Sequence, residues 1–240
     1  MFDGISSDYD KLNHIMSLNV DKTWRKRALR HILPEKPEGR LAVLDVACGT
    51  GDFSVSIARA MQTRSQAGKV TGVDLSEGML EVMRRKIETL GLTELIEAEY
   101  ADGEDLHFAP GSFDRVTVAF GIRNFEDRQK GLEQFYKVLK PGGKLIILEL
   151  SVPSNFLLRG LYKLYFLHIM PWIGGLISGN KAAYKYLPAS VLKFPKPEEF
   201  MESIRQAGFE RVFSKAYTFG ICRIYVAETG HFFQPAISSK

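Results

Sequence analysis

The chain has few of the residues that build metal and disulfide scaffolds. Among 240 residues there are two cysteines, Cys48 and Cys222, and five histidines. Two cysteines so far apart make neither a disulfide framework nor a zinc-ligand spacing, so no metal is expected and a reducing, cytoplasmic compartment is the default. There is no internal repeat and no low-complexity tract, and solenoid, collagen-like and disordered readings fall away. A long uncharged apolar run is also missing. The greasiest stretch, Asn155 to Ser178, is interrupted by Arg159, Lys163, His168 and Pro171. Each charge at a bilayer centre costs about 2.5–3.5 kcal/mol, which argues against a spanning helix. Met1 to Asp10 carry Asp3, Asp8 and Asp10 with no apolar run, so no signal peptide is expected there. Nor is the charge one-sided. Lys plus Arg number 32 and Asp plus Glu 28, a formal +4, which suits an anionic surface and is weak evidence for nucleic acid.

What remains is 45% hydrophobic and 25% charged, the composition of a globular chain long enough for one large α/β domain. Asp21 is placed to cap a helix through Trp24, Ala28 and Ile32 that Pro34 and Pro37 end, and its other face (Lys22, Arg25, Lys26, Arg27, Arg30) reads as solvated. Short apolar strands then alternate with helices: Leu41–Ala47, Lys69–Val73, Leu95–Tyr100, Phe113–Phe120 and Lys144–Leu150. Between them run helices from Asp52, from a Ser76 cap, and from Arg128 to Leu139. This alternation predicts parallel strands buried on both faces. After a helix over Pro197–Ala207, the strands Phe209–Tyr217 and Ile221–Glu228 sit too close in sequence to be parallel, because a parallel pair needs a crossover of a dozen or more residues. The expected fold is a Rossmann-like, mostly parallel seven-stranded sheet with helices on both faces and a C-terminal antiparallel hairpin. One domain is expected over 1–240: an N-terminal helical arm or lid (1–40), an α/β core (41–150), a hydrophobic insertion (151–195) and a C-terminal helix and hairpin (196–230).

Chemistry in such sheets lies beyond the carboxyl ends of the strands. There the chain reads Val43-Leu-Asp-Val-Ala-Cys-Gly-Thr-Gly-Asp52. Gly49 and Gly51 permit a tight turn and close approach of a ligand to the backbone. The third glycine of the dinucleotide fingerprint is replaced by Ser54, which argues against a nicotinamide oxidoreductase. Asp45 and Asp52 put negative charge beside the turn, repelling a pyrophosphate and welcoming an amine or sulfonium. The competing reading makes Asp52 a helix cap and Asp45 an acceptor for loop amides. Asp74 ends the second strand 23 residues after Gly51, where an acid can take both hydroxyls of a ribose. Asp102, after the third strand, is placed to meet the exocyclic amine of an adenine, though Asp102-Gly103 also simply makes a turn.

These motifs, with Leu139-Lys-Pro-Gly-Gly-Lys144 before the fifth strand, resemble the class I S-adenosylmethionine-dependent methyltransferases. Further elements narrow the resemblance to the quinone C-methyltransferases of menaquinone and ubiquinone biosynthesis. They are Phe2-Asp-Gly-Ile-Ser-Ser-Asp-Tyr-Asp10 with Asn13, Phe120-Gly-Ile-Arg-Asn124, Leu148-Glu-Leu150, and Tyr186-Leu-Pro-Ala-Ser190 with Phe194-Pro195. The family resemblance implies S-adenosyl-L-methionine as cofactor and a polyprenylated hydroquinone, demethylmenaquinol first and a ubiquinone precursor second, as the acceptor methylated on carbon. It places Thr50 at the methionine end, Asp74 on the ribose, and Asp102 with Gly103 at the adenine, with Leu75 a further cofactor-binding residue. Asp45, Gly49 and Gly51 come with the turn. Ala119 stands where the family commonly has serine, so any contact there falls to the backbone.

Methylation of a ring carbon needs alignment, acceptance of a phenolic proton and exclusion of water. Arg123 and Asn124, just past the fourth strand, are placed to stabilise a phenolate, and Asp102 to accept the proton. The competing reading pairs Arg123 with Glu126 or Asp127. Tyr9, with Phe2 and Tyr186, is a candidate aromatic lid. In the greasy stretch, Tyr162, Tyr165, Phe166 and Trp172 alternate with bases as in an interfacial helix. Peripheral membrane contact through 155–178, at the inner face of the membrane, competes there with a homodimer surface and with ordinary core. A cofactor-binding partner that has lost catalysis is the non-enzymatic alternative.

Overall fold

Apolar strands too short to stand alone bury both faces by pairing, and helices with one apolar stripe cover them. The computed structural model describes residues 19–37, 39–164 and 188–230. The elements are α1 (Val20–Ile32), β1 (Leu41–Val46), α2 (Asp52–Thr63), β2 (Gly68–Asp74), α3 (Glu77–Thr89), β3 (Ile96–Tyr100) and β4 (Phe113–Ala119). They continue as a 3-10 turn (Ile122–Asn124), α4 (Arg128–Val138), β5 (Leu139–Leu150), α5 (Phe156–Leu164), α6 (Pro197–Gln206), β6 (Glu210–Tyr217) and β7 (Cys222–Glu228). The seven strands form one sheet in the order β3-β2-β1-β4-β5-β7-β6. The first five strands pair in parallel, while β7 pairs antiparallel with both β5 and β6. The predicted sheet and its terminal hairpin are therefore present.

Alternation along β1 divides the core. Leu41 and Val43 point into a cluster with Trp24, Ile57, Met83 and Ile224, while Leu44 and Val46 join Phe135, Ile147, Phe200 and Tyr225 on the opposite face. Because β1 lies between β2 and β4, the direction of strand progression reverses there, and a crevice opens beyond its carboxyl end.

Three local readings change. Asp21 does not cap α1. The cap position is Asn19, with φ 59° and no side-chain bond, and Asp21 lies buried in the first turn, 3.5 Å from Arg25. Arg25 in turn leaves the solvated face and points inward. β5 begins at Leu139, not Lys144, because Leu139 pairs with Phe113 and the register shifts before Lys144 resumes opposite Arg115. The Pro141-Gly142-Gly143 run thus forms an irregularity inside a strand rather than a loop. Ser76 does cap α3, its side chain accepting from the Met79 amide at 3.3 Å. Of the insertion, 165–187 lie outside the described residues, as do 1–18.

Leu44 is fully buried in the central strand. Leu44→Ala is expected to destabilise the fold by about 2–5 kcal/mol in urea unfolding, through lost transfer energy and the cavity left behind.

Candidate active site

The crevice beyond β1 holds a cavity of about 390 Å³, within the range of roughly 300–1,000 Å³ usual for small-molecule sites. Asp45, Gly49, Thr50, Asp74, Leu75, Asp102, Gly103, Ala119 and Asn124 all line it. Gly51 and Arg123, also singled out from the sequence, do not. Tyr9, Phe2 and Tyr186 lie outside the described residues.

The floor is the turn after β1. Gly49 has φ +56°, and a Cβ built on it would meet nothing within 4 Å, so its backbone lies open to a ligand. Gly51 serves packing instead, since its Cβ position falls 2.5 Å from the Met83 side chain. The turn is fastened to β2: the Gly49 amide donates to Asp74 Oδ2 at 2.8 Å, and the Cys48 amide donates to the Val73 carbonyl at 3.0 Å. Asp74 Oδ1 also accepts from the Ser76 amide at 2.9 Å. The acid that the pattern assigned to a ribose is thus at the same time the clasp of the turn.

The charge expected at the turn is largely met from within. Asp45 is buried and accepts from the hydroxyls of Ser54 at 2.6 Å and Thr117 at 2.8 Å. Burial pushes its pKa up to about 6, against the opposing pull of those two hydroxyls and the Arg25 charge. Asp52 is bound by Arg25 at 2.8 Å and Lys86 at 2.7 Å. Burial alone would raise its pKa, but these two cations outweigh it and hold the carboxyl below its ordinary value. Asp52 therefore acts as an ion-pair hub on the wall rather than as an open anion.

The far wall comes from β3 and β4. Asp102 forms a turn, its side chain accepting from the Glu104 amide at 2.8 Å. Gly103 admits no side chain, because a Cβ would lie 2.6 Å from the Phe125 ring. Glu104, missed in the sequence, lines the cavity and accepts from the amides of Glu126 at 2.7 Å and Asp127 at 3.2 Å. It draws the segment after the 3-10 turn inward, where Asn124 and Phe125 complete the wall. Arg25, Phe53 and Phe125 also line the cavity without having been flagged in the sequence.

Arg123 is paired, but with neither Glu126 nor Asp127. Its Nη1 donates to Glu149 Oε1 at 2.8 Å and to the Phe120 carbonyl, and its amide donates to Glu149 Oε2 at 3.2 Å. The pair is buried, with side-chain exposures of 7% and 0%. The guanidinium thus braces the turn that carries Asn124 and does not face the cavity. Only the Leu148-Glu-Leu150 motif signalled this partner, and nothing in its spacing linked it to Arg123.

A glycine turn after the first strand of this sheet order, clasped by a carboxylate at the end of the second, defines the methyltransferase-type α/β fold. Among solved structures the fold is shared with the 4+2 cyclase SpnF (TM-score 0.65, 18% identity, 88% of this chain and 82% of that one). It is shared also with phosphoethanolamine N-methyltransferase 2 of Haemonchus contortus in complex with S-adenosyl-L-methionine (TM-score 0.64, 17% identity, 87% and 53%). The chain belongs to the ubiE/COQ5 methyltransferase family, which it matches over residues 1–229. It is 42% identical to the demethylmenaquinone methyltransferase of Bacteroides fragilis strain YCH46, over 95% of this chain and 90% of that protein. It is 41% identical to the enzyme of that name from Thermus thermophilus, over 95% and 99%. A ubiquinone/menaquinone biosynthesis C-methyltransferase of Geobacter sulfurreducens is 45% identical over 96% and 87%.

Two outcomes are expected. Asp45 has an ordinary pKa of 3.8 and a folded value of about 6, so the folded state holds its proton more tightly and stability falls as pH rises from about 4 to about 6. Asp45→Asn removes that loss, and urea unfolding across pH 4–7 should show the variant gaining on the parent by about 3 kcal/mol. Glu149→Gln leaves the buried Arg123 without its carboxylate and should cost about 3–5 kcal/mol of stability by the same measurement.

Proposed function

We propose that the chain transfers a methyl group from S-adenosyl-L-methionine to a ring carbon of demethylmenaquinol, the methylation step of menaquinone biosynthesis. The observation that carries the cofactor is the open Gly49 backbone beside the Asp74 carboxylate, within a cavity that also holds Thr50, Asp102 and Gly103. The residues fit such a group, with ribose hydroxyls falling to Asp74, adenine to Asp102 and Gly103, and the methionine end to Thr50. Bound there, the cofactor supplies a methyl already activated by its sulfonium. The acceptor rests on the relatives: two of them, 41% and 42% identical along nearly the whole chain, carry the name demethylmenaquinone methyltransferase.

The chain's own contribution is alignment, proton acceptance and exclusion of water. Alignment alone contributes about 7–11 kcal/mol in favourable cases. Asn124 reaches the cavity from the 3-10 turn and is the group assigned to a ring oxygen. Asp102 lines the same cavity and takes the phenolic proton, directly or through one water. Arg123 is a positioning residue in this reading, because its guanidinium is turned toward Glu149 and the Phe120 carbonyl. Tyr9 is the remaining member of the assigned set, as part of a lid. A benzoquinol precursor of ubiquinone is the second acceptor, supported by the ubiquinone/menaquinone naming of the Geobacter sulfurreducens relative.

A prenylated quinol resides in a bilayer. Among the described residues no helix is long and apolar enough to cross one. Exposed Phe156, Leu157 and Leu164 on α5 support a peripheral contact of the 155–178 segment at the cytoplasmic face, with a homodimer as the competing use of the same surface.

The test is incubation with methyl-labelled S-adenosylmethionine and reduced demethylmenaquinone, with the product identified by mass. Label on the ring carbon is the expected result; a folded, cofactor-bound sample that leaves the ring unlabelled overturns the assignment. Asp74→Asn should weaken S-adenosylmethionine binding about 10- to 100-fold by calorimetry, the worth of hydrogen bonds to a charged acceptor.

A further inference from the structure

We propose that the end of the molecule around the β6–β7 turn is a docking surface for an anionic lipid bilayer. The inference extends the contact proposed for the 155–178 segment to the β6–β7 turn and the basic flank of α1, and does not rest on which quinol is methylated.

Three segments are fastened together there. Trp24 of α1 donates from Nε1 to Thr218 Oγ1 at 2.8 Å. The Ser151 hydroxyl donates to the Gly220 carbonyl at 2.6 Å, and the Ser151 amide to the Ile221 carbonyl at 2.9 Å. Arg159 ties α5 back to the same loop, donating to the carbonyls of Pro153 at 3.3 Å and Ser154 at 2.7 Å. Thr218, Phe219 and Gly220 have φ of 47°, 56° and 92°, a left-handed run that the first two residue types rarely adopt. That backbone holds Phe219 out of the core at 78% exposure, and across the loop Phe156 and Leu157 are 83% and 71% exposed. Large apolar side chains held outward together on a fixed scaffold mark an interaction site.

The charge around them selects the partner. From Lys22 to Leu33, from Ser151 to Leu164 and from Arg211 to Ile221 there is no aspartate or glutamate. Lys22, Lys26, Arg27, Arg30 and Lys215 are all exposed. The Arg27 guanidinium lies 5.0 Å and the Lys215 ammonium 5.9 Å from the Tyr217 ring, bringing bases from α1 and β6 to the flank of the turn. An apolar tip flanked by the bases of α1 and β6 is complementary to acyl chains beneath anionic headgroups. The tip also neighbours the cavity: the Trp24 ring lies 6.1 Å from that of Phe120, which lines it. Docking here would bring the wall of the cavity close to the bilayer.

The experiment is flotation of the full chain with quinone-free vesicles, either pure phosphatidylcholine or phosphatidylcholine with about one-third phosphatidylglycerol. Binding is expected to the anionic vesicles, at least about tenfold tighter than to the neutral ones, and to weaken with added salt. Phe219→Ser and, separately, the pair Arg27→Glu with Lys215→Glu should each weaken it about tenfold or more. Both variants should keep the parent's melting temperature and its rate on a short-tailed, water-soluble quinol, so loss of docking is told apart from loss of methyl transfer. Equal binding to both vesicle types, no binding, or variants that bind like the parent would overturn the proposal. So would Phe219-dependent self-association without lipid, which assigns the tip to a second copy, or Phe219-dependent retention on RNA.

Discussion

The hydrogen bond from the Gly49 amide to Asp74 joins the turn after β1 to the end of β2, and the cavity is built outward from it. A glycine turn has few side-chain contacts of its own and would otherwise be loose. Here one carboxylate anchors it and the start of α3 together, since Asp74 also accepts from the Ser76 amide and Ser76 caps that helix. The other acids around the cavity serve similar ends. Asp52 gathers α1 and α3 through Arg25 and Lys86, Glu104 holds the amides after Phe125, and Glu149 holds Arg123. Carboxylates therefore make the walls, besides the proton acceptance proposed for Asp102. The negative field expected at the turn is correspondingly smaller than a count of acids suggests, because paired or hydrogen-bonded carboxylates have already met their charge.

This dual use explains what was legible in the sequence. Strand and helix alternation survives because it depends only on local periodicity, and the sheet with its terminal hairpin follows directly. Asp74, Asp102 and the glycine turn were legible because their positions at strand ends determine what they can reach. Partners across the fold were not. Glu149 lies 26 residues from Arg123 and meets it only because β4 and β5 are neighbours, whereas Glu126 and Asp127 are closer in sequence but turned elsewhere. Arg25 looked like one more base on a solvated helix face. Only the packing of α1 against α2 brings it to Asp52. Boundaries failed where pairing overrode a breaker signal, as at Pro141-Gly142-Gly143, which β5 carries as an irregular stretch.

Fold and reaction part company in the comparisons. A cyclase and an N-methyltransferase share this sheet at TM-scores of 0.65 and 0.64, so the architecture alone does not choose a chemistry. The detail beyond β4 shapes the cavity of this chain. The Phe120-Gly-Ile-Arg-Asn124 segment presents Phe120, Gly121 and Asn124 to the cavity and turns Arg123 away to lock itself in place.

Among the described residues, two of the seven non-glycine residues with positive φ stand at this site. Ala47, just past β1, has φ +53°, and Phe120, just past β4, has φ +61°; both line the cavity. Non-glycine residues held so typically cost about 1–3 kcal/mol each, and persist only where the surroundings over-determine them. The surroundings do so here. The Phe120 amide donates to Leu148 at 2.7 Å, its carbonyl accepts from Arg123, and Arg123 is locked by Glu149. Gly121 has no side chain because a Cβ there would lie 2.6 Å from that of Ala47. Ala47 therefore packs against the glycine that follows Phe120, beyond the strands where the strand order reverses. The retention of both strained residues beside the open Gly49 backbone indicates that the shape of this floor, and the direction in which Phe120 and Asn124 leave it, is what the buried Arg123–Glu149 pair maintains.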